Sequence, residues 1–349
     1  MRKIGSIVFI LFVVIVGMLL YENEMNSFFS EHEMEETEVP KLKSNQATKE
    51  MNELLDGDLF QLMYKTDREV VKELGEPIRK DLTPYGYSWW VYTDGLEQFI
   101  LVGIEENIVQ TVFATGTDIP IEPFQIGESY EEISKQFPMK EKVTYQTGIS
   151  FYSFLLNETD LQTNPLIALS DDVFLQCYFD TFTNELSSIR IISGDVLLKQ
   201  RFYEMEYRGT LPKEEQLTEE QWETIERGMK EQVFELTNVY RHRYGQSPLL
   251  KDEQVSEVAF LHSKDMYENN YFSHYGLDGS GLKERLAEKE VHYFAAGENI
   301  AAQHTDAPAA VEGWLNSEGH REALLNDEYT HLGVGVHRLY YTQNFLLKY

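Results

Sequence analysis

VAFLHSKDMYENNYFSH, Val258–His274, is the stretch on which the fold of this chain turns. Val258, Ala259, His262 and Met266 recur at helical spacing, with Val255 one turn earlier. The spacing predicts a helix from about Glu253 to Asn269 with a single core-facing stripe. The chain then passes through aromatic residues to His274 and on to Gly276, Gly279 and Gly281, which suit a sharp return of the backbone. Of the nine histidines in 349 residues, eight follow position 240, so a site is to be sought in the last third.

Upstream, Thr218 and Gln221 have capping-box spacing, and Trp222, Ile225, Met229, Val233, Leu236 and Tyr240 follow with helical period. This predicts a long core-facing helix ending near Gly245. Downstream, GLKERLAEK (281–289) reads as a third helix and DAPAAVEGWLNS (306–317) as a fourth, with Asp306 as N-cap and Pro308 in the first turn. The closing runs HLGVGVHRL and YYTQNFLL alternate as a β-hairpin. Helices outside a small sheet make residues 209–349 an α+β domain.

Residues 58–208 are of another kind. KTDREVVKELGEP (65–77) and ESYEEISKQFP (128–138) each read as a short amphipathic helix, and Val70, Lys72 and Leu74 match Ile133, Lys135 and Phe137 at one offset. Each is followed by β-prone runs, YGYSWWVY and FILVGI in the first, ISFYSFLL and VFLQCYF in the second. Each closes alike, on NIVQTVFATG and NELSSIRIISG. The pattern predicts a two-repeat α+β domain, the second copy carrying NETDLQTNPLIALSD (157–171) as a longer loop. No catalytic constellation is visible in it, and its aromatic residues read as core. The lone cysteine, Cys177, falls on the apolar side of a predicted strand and excludes an intrachain disulfide framework.

At the N-terminus, Arg2 and Lys3 precede the uncharged apolar run Ile4–Leu20, with acid following. Residues 1–25 are therefore expected to be a signal anchor or transmembrane helix with the body exported, or a cleaved signal peptide. Residues 26–57 read as a flexible tether. A net charge of -29 excludes nucleic acid as an ordinary partner, because phosphate binding requires a basic footprint.

LTNVYRHRYGQSPL, VAFLHSKDMYENNYFSH, GENIA, GWLNSEGHREALLN, HLGVGV and YYTQNF occur in this order in the last third. Together they resemble the bacterial branch of the CAP superfamily (cysteine-rich secretory, antigen 5 and pathogenesis-related proteins), and the region before them is similar to the CAP-associated N-terminal domain. The resemblance implies an α-β-α sandwich and a cleft where two histidines and two glutamates converge, in some members on a divalent cation. His274 of FSH and Glu298 of GEN match that set. Ser317 stands at the second glutamate's place and Tyr340 at the second histidine's, so His320 of GHR and the neighbouring Glu318 are the substitutes expected to complete the cleft. His274, Glu298 and His320 are accordingly the candidate ligands of zinc or a similar cation, with modest affinity.

Imidazoles beside a carboxylate can ligate a cation or share acid–base work. His262, on the apolar helix face, is expected to be structural, and Asn299 to bond local backbone at a helix start. Three function classes are expected, in order. The first is an extracytoplasmic binding module for a peptide, glycan or lipid of the cell envelope. The second is an envelope scaffold mediating protein contacts. The third is a peptidase-like hydrolase using Glu298 with His274 or His320. No HExxH or GxSxG motif occurs, so the binding reading stands ahead of an enzyme.

Overall fold

The computed structural model describes Leu55 and residues 57–348, all within one compact unit, Thr48–Tyr349. The expected signal anchor, and all of the expected tether except Leu55 and Gly57, lie outside the described residues. Leu55 is buried and the Gly57 amide donates to Glu122 O, so the packed chain begins slightly before Leu59. Among the described residues no helix is long and apolar enough to cross a membrane.

The first repeat opens with helix α1 (Asp67–Leu74), whose N-cap Thr66 forms a capping box with Glu69, and continues as the meander β1 (Arg79–Leu82), β2 (Ser88–Thr93), β3 (Gln98–Glu105) and β4 (Ile108–Gly116). The second opens with α2 (Tyr130–Gln136), capped by Ser129, and closes with β8 (Val173–Asp180) and β9 (Glu185–Ser193). Thr66 bridges Ile108 as Ser129 bridges Glu185, and Val70 and Ile133 are each their helix's buried residue. Both copies also carry a β-bulge at the same place, between Gly103/Ile104 and between Tyr178/Phe179. The repeat is therefore real in three dimensions.

The copies diverge in between. ISFYSFLL forms β6 (Ser150–Leu155), which leaves the main sheet and pairs with β5 (Lys142–Thr147) and β10 (Glu204–Arg208). The segment expected as a loop instead builds helix α3 (Glu158–Thr163) and strand β7 (Leu166–Ala168), and β7 takes the place beside β8. An Asn157–Asp160 capping box nucleates α3, a signal present in NETD. The result is a seven-stranded sheet, β1-β2-β3-β4-β9-β8-β7, with the two closing strands paired antiparallel in its middle.

One face of this sheet packs on α1 and α2. There Trp90, Ile100, Val112, Leu175, Cys177 and Ile189 meet Val70, Ile133 and Phe137, and burial pushes the Cys177 thiol well up. The other face carries Trp89, Phe99, Phe113, Phe174 and Tyr178. These belong to one hydrophobic cluster with Ile225, Leu236, Tyr240, Trp314 and Val334 of the C-terminal region. Helix α4 (Gly194–Gln200) adds Val196 and Leu197 to the same cluster.

In the C-terminal region α5 (Glu219–Arg243) begins at the predicted Thr218–Gln221 capping box, and α6 (Glu253–Glu268) buries Val255, Val258, Ala259, His262 and Met266 as the periodicity requires. Strands β11 (Leu250–Lys251), β12 (Ala295–Ala302), β13 (His331–His337) and β14 (Tyr340–Leu347) form a sheet in the order β11-β13-β14-β12. Helix α6 lies against β13 so closely that a Cβ on Gly335 would stand 1.9 Å from Phe260 N. Ser263 on α6 donates to Gly335 O and meets Thr342, whereas the next residue, Gln343, donates to Thr237 on α5. Helices therefore cover both faces of the sheet. Helix α7 (Leu282–Glu288) follows the aromatic turn, and α8 (Ala307–Leu315) starts at N-cap Asp306 with Pro308 in its first turn, as read. Helix α9 (Glu318–Leu325) was not anticipated, because Asn316 and Ser317 interrupt the apolar period just before it.

Candidate functional site

The site forms at the edge of the four-stranded sheet, where β12 is the last strand. GENIA is part of that strand and not a helix start, which corrects the reading of Asn299. Asn299 is buried, and its Nδ2 donates to His320 O at 3.0 Å and to Gln343 Oε1 at 3.2 Å. Glu298, its neighbour, points the opposite way by the strand's alternation, towards α6 and α7. Its side chain is 5% exposed.

Three basic groups surround the Glu298 carboxylate. His274 Nδ1 donates to Oε1 at 2.9 Å, Arg285 Nη2 pairs with Oε2 at 2.5 Å, and His262 Nε2 lies 4.0 Å from Oε1. Burial pushes the Glu298 pKa up, but the His274 hydrogen bond and the Arg285 charge outweigh it and hold the carboxyl below the usual range. The carboxylate in turn fixes the His274 tautomer, leaving Nε2 as the acceptor nitrogen. His274 itself is 46% exposed, so a buried ion pair orients an accessible imidazole.

His262 proves to be more than a satisfied core residue. Its Nε2 donates to Ser273 O at 3.0 Å, which anchors the residue before His274, and burial lowers its pKa. Arg285 was missed altogether. Besides Glu298 it donates to His274 O at 3.1 Å and Ser280 O at 3.3 Å, tying the aromatic turn to α7. Its signal was legible: Leu282, Arg285 and Leu286 are i, i+3 and i+4, so the arginine shares the buried face of its helix.

His320 reaches the cleft from α9. Its ring centroid is 6.3 Å from that of His274, and its Nδ1 lies 2.9 Å from Ser317 Oγ, so Ser317 buttresses the imidazole from the place where the resemblance puts a second glutamate. Burial and the neighbouring His274 lower the His320 pKa, favouring the neutral ring. His274, Glu298 and His320 are thus brought together. Glu318 is exposed at the start of α9, with no hydrogen bond or ion pair to Glu298 or to either histidine among the described residues. Tyr340 stacks edge-on against Tyr267, centroids 6.0 Å apart, and takes no part.

A divalent cation fits this donor set poorly. Both oxygens of Glu298 are engaged, one of them by a guanidinium that already supplies a positive charge. Among the described residues no three His, Cys, Asp or Glu side chains are arranged to hold a metal ion. Beside the cleft, Phe272, Tyr275 and Leu277 of the turn are exposed at 55%, 65% and 72%. Behind His262 and Arg285 lies a cavity of about 380 Å³, walled also by Val258, Leu261, Asp265 and Leu277.

Comparison with known proteins identifies the two regions of the chain. Residues 63–203 match the CAP-associated N-terminal family and residues 234–349 the cysteine-rich secretory protein family. The chain is 47% identical over 291 residues, 83% of its length and 84% of the relative's, to the membrane protein YlbC of Bacillus subtilis (strain 168). It is similar in structure to an extracellular protein containing a SCP domain from Bacillus anthracis str. Ames, with 40% identity and a TM-score of 0.79 over 83% of this chain and 95% of that one. A cysteine-rich secretory protein from Staphylococcus aureus subsp. aureus Mu50 shares the fold at 24% identity, with a TM-score of 0.75 over 84% and 94% of the two chains.

Proposed function

The chain belongs to the cysteine-rich secretory protein (CAP) family, and from that premise we propose that it is a recognition module working outside the cytoplasm at the cell envelope. The names of its relatives, a membrane protein and an extracellular protein, support that location. The apolar run at Ile4–Leu20 supports attachment to the membrane, with release if the segment is cleaved.

The observation that carries the reading is the exposed His274 imidazole, held by the buried Glu298–Arg285 pair among exposed Phe272, Tyr275 and Leu277. Binding sites combine apolar surface with a few fixed polar groups, and both are present here. The ligand is a peptide, glycan or lipid of the envelope whose polar groups reach the two imidazoles while its apolar surface covers the aromatic turn. Zinc or a similar cation would have to use the imidazole nitrogens that Glu298 and Ser317 leave free. Such binding would be weak and would fade as pH falls through the histidine range.

The test is nuclear magnetic resonance of the histidine rings during titration with soluble N-acetylhexosamine oligomers, cell-wall peptides, phospholipid vesicles and zinc. Saturable shifts at His274 and His320 with one of the first three, lost in His274→Ala and Glu298→Gln, are expected. Shifts with none of them would remove the recognition reading and favour a scaffold. The Glu298–His274 hydrogen bond also has the form of an oriented general base, so peptide hydrolysis stands as a third reading behind the scaffold. Cleavage of the added peptides, abolished by Glu298→Gln, would promote it.

A further inference from the structure

The cleft histidine His320 stands between two residues that the repeat region grips. Asn316 Oδ1 accepts hydrogen bonds from the Thr181 amide and hydroxyl, each 2.8 Å, and Asn316 Nδ2 donates to Phe179 O at 2.8 Å. Arg321 Nη2 pairs with Asp180 Oδ2 at 2.8 Å, and its guanidinium lies 4.8 Å over the Phe182 ring and 4.9 Å over Tyr244. Asp180 is fully buried and also accepts from the Tyr244 hydroxyl. Residues 179–182 form the end of β8 and the turn into β9.

The attachment continues along the second repeat. Glu312, buried on α8, accepts from Ser187 at 2.6 Å and from Ser188 and Tyr240. Asp306, the N-cap of α8, accepts from the buried Arg190 at 2.9 Å. Helix α8 is therefore tied to β9 at its start and middle, and to the β8–β9 turn at the corner where α9 begins.

Helix α9 needs that support. It has eight residues, only Leu324 is buried, and its N-cap Ser317 makes no side-chain cap because the hydroxyl serves His320. So short a helix has little stability of its own, so its place must be imposed by neighbours. We propose that the β8–β9 turn of the repeat region is a positioning element of the cleft: Asp180 and Thr181, acting through Arg321 and Asn316, set His320 opposite His274. The CAP-associated region is then part of the site. This rests on the His274–Glu298–His320 cleft being the functional one.

The test is histidine-ring titration by nuclear magnetic resonance on the full-length protein, which needs no ligand. In the parent, His320 is expected to titrate below the ordinary value of about 6.5, because it is shielded and faces His274. In Asp180→Ala the released ring becomes better hydrated, and its midpoint moves up towards that value, while the buried His262 keeps its own. Thr181→Val, which removes one of the three bonds to Asn316, gives a smaller move in the same direction and serves if Asp180→Ala does not fold. Leu175→Ala, on the other face of the same sheet, lowers Tm without moving His320. An unmoved His320 midpoint in both turn variants, or an equal move in Leu175→Ala, overturns the proposal. Failure of every ligand to bind the parent would sink the recognition reading and leave the titration result standing.

Discussion

Replacing Arg285 by methionine keeps most of the side chain's length and removes its charge, so it isolates what the guanidinium does for Glu298. The two side chains are 12% and 5% exposed, so solvent screening is slight. Removing one partner of a buried pair costs about 3–5 kcal/mol, and the remaining His274 hydrogen bond should hold the loss to about 2–4 kcal/mol. At roughly 2–4 °C per kcal/mol for a chain of this size, Tm should fall by about 4–16 °C. The pH dependence gives an independent check. Because Glu298 sits below the usual carboxylate range in the folded protein, its stabilisation is complete above that range and is lost as pH falls through the folded value. Without Arg285 that depression shrinks, so the fall in stability between about pH 6 and pH 3 should be shallower. Adding Glu298→Gln should recover about 1–3 kcal/mol of the loss, since it discharges the stranded carboxylate. Calorimetry at several pH values on the four proteins of this cycle decides the matter. A Tm change under 1 °C in Arg285→Met, with an unaltered pH profile, would refute the claim that the arginine stands in for a cation at this carboxylate.

Glu312 titrates in the opposite sense. Burial holds its folded pKa above the ordinary value despite its hydroxyl partners, so its own contribution to stability is greatest at low pH and is lost as pH rises through the raised value. Glu312→Gln should flatten that slope in urea unfolding measured from pH 4 to 8, and an unchanged slope would contradict it. Gly335→Ala places a methyl group 1.9 Å from the α6 backbone and should cost about 2 kcal/mol or more, read as a drop in the urea midpoint with folding retained or lost. Wild-type stability would mean α6 is not seated on β13. Asp306→Ala strands the fully buried Arg190, and a loss of about 3–5 kcal/mol is expected in the same assay, with less than 1 kcal/mol counting against a buried ion pair there.

Much of this was legible in the chain. The capping boxes at Thr66 and Thr218, the stripe on α6, the Asp306 cap and the matched Val70 and Ile133 are local or periodic signals, and the fold obeys each. His274, Glu298 and His320 could be picked out as residues because motifs mark them. What could not be read was who touches them. Arg285, 13 positions before Glu298, sits beside it only because α7 folds back, and Asp180 meets Arg321 across 141 positions. The misreadings differ in cause: GENIA and the β7 residues Leu166–Ala168 have weak local preference and take their conformation from pairing with β14 and β8, whereas α3 had a local signal in the Asn157–Asp160 capping box that went unread.

The common core bears on how the chain is made. Synthesis delivers the repeats first, so the seven-stranded sheet is complete while the helices that cover Trp89, Phe99, Phe113 and Phe174 have yet to emerge. That surface is a nascent chain's hazard, wide and aromatic, on an open sheet. Arg190 lies in its midst, opposite Phe113 on the central pair of strands, and until Asp306 arrives its charge has to stay hydrated. A lone cation there penalises any apolar partner that offers no carboxylate, as charges do when they guard exposed sheet. The charge that locks the finished interface is, before Asp306 reaches it, a poor contact for any apolar surface.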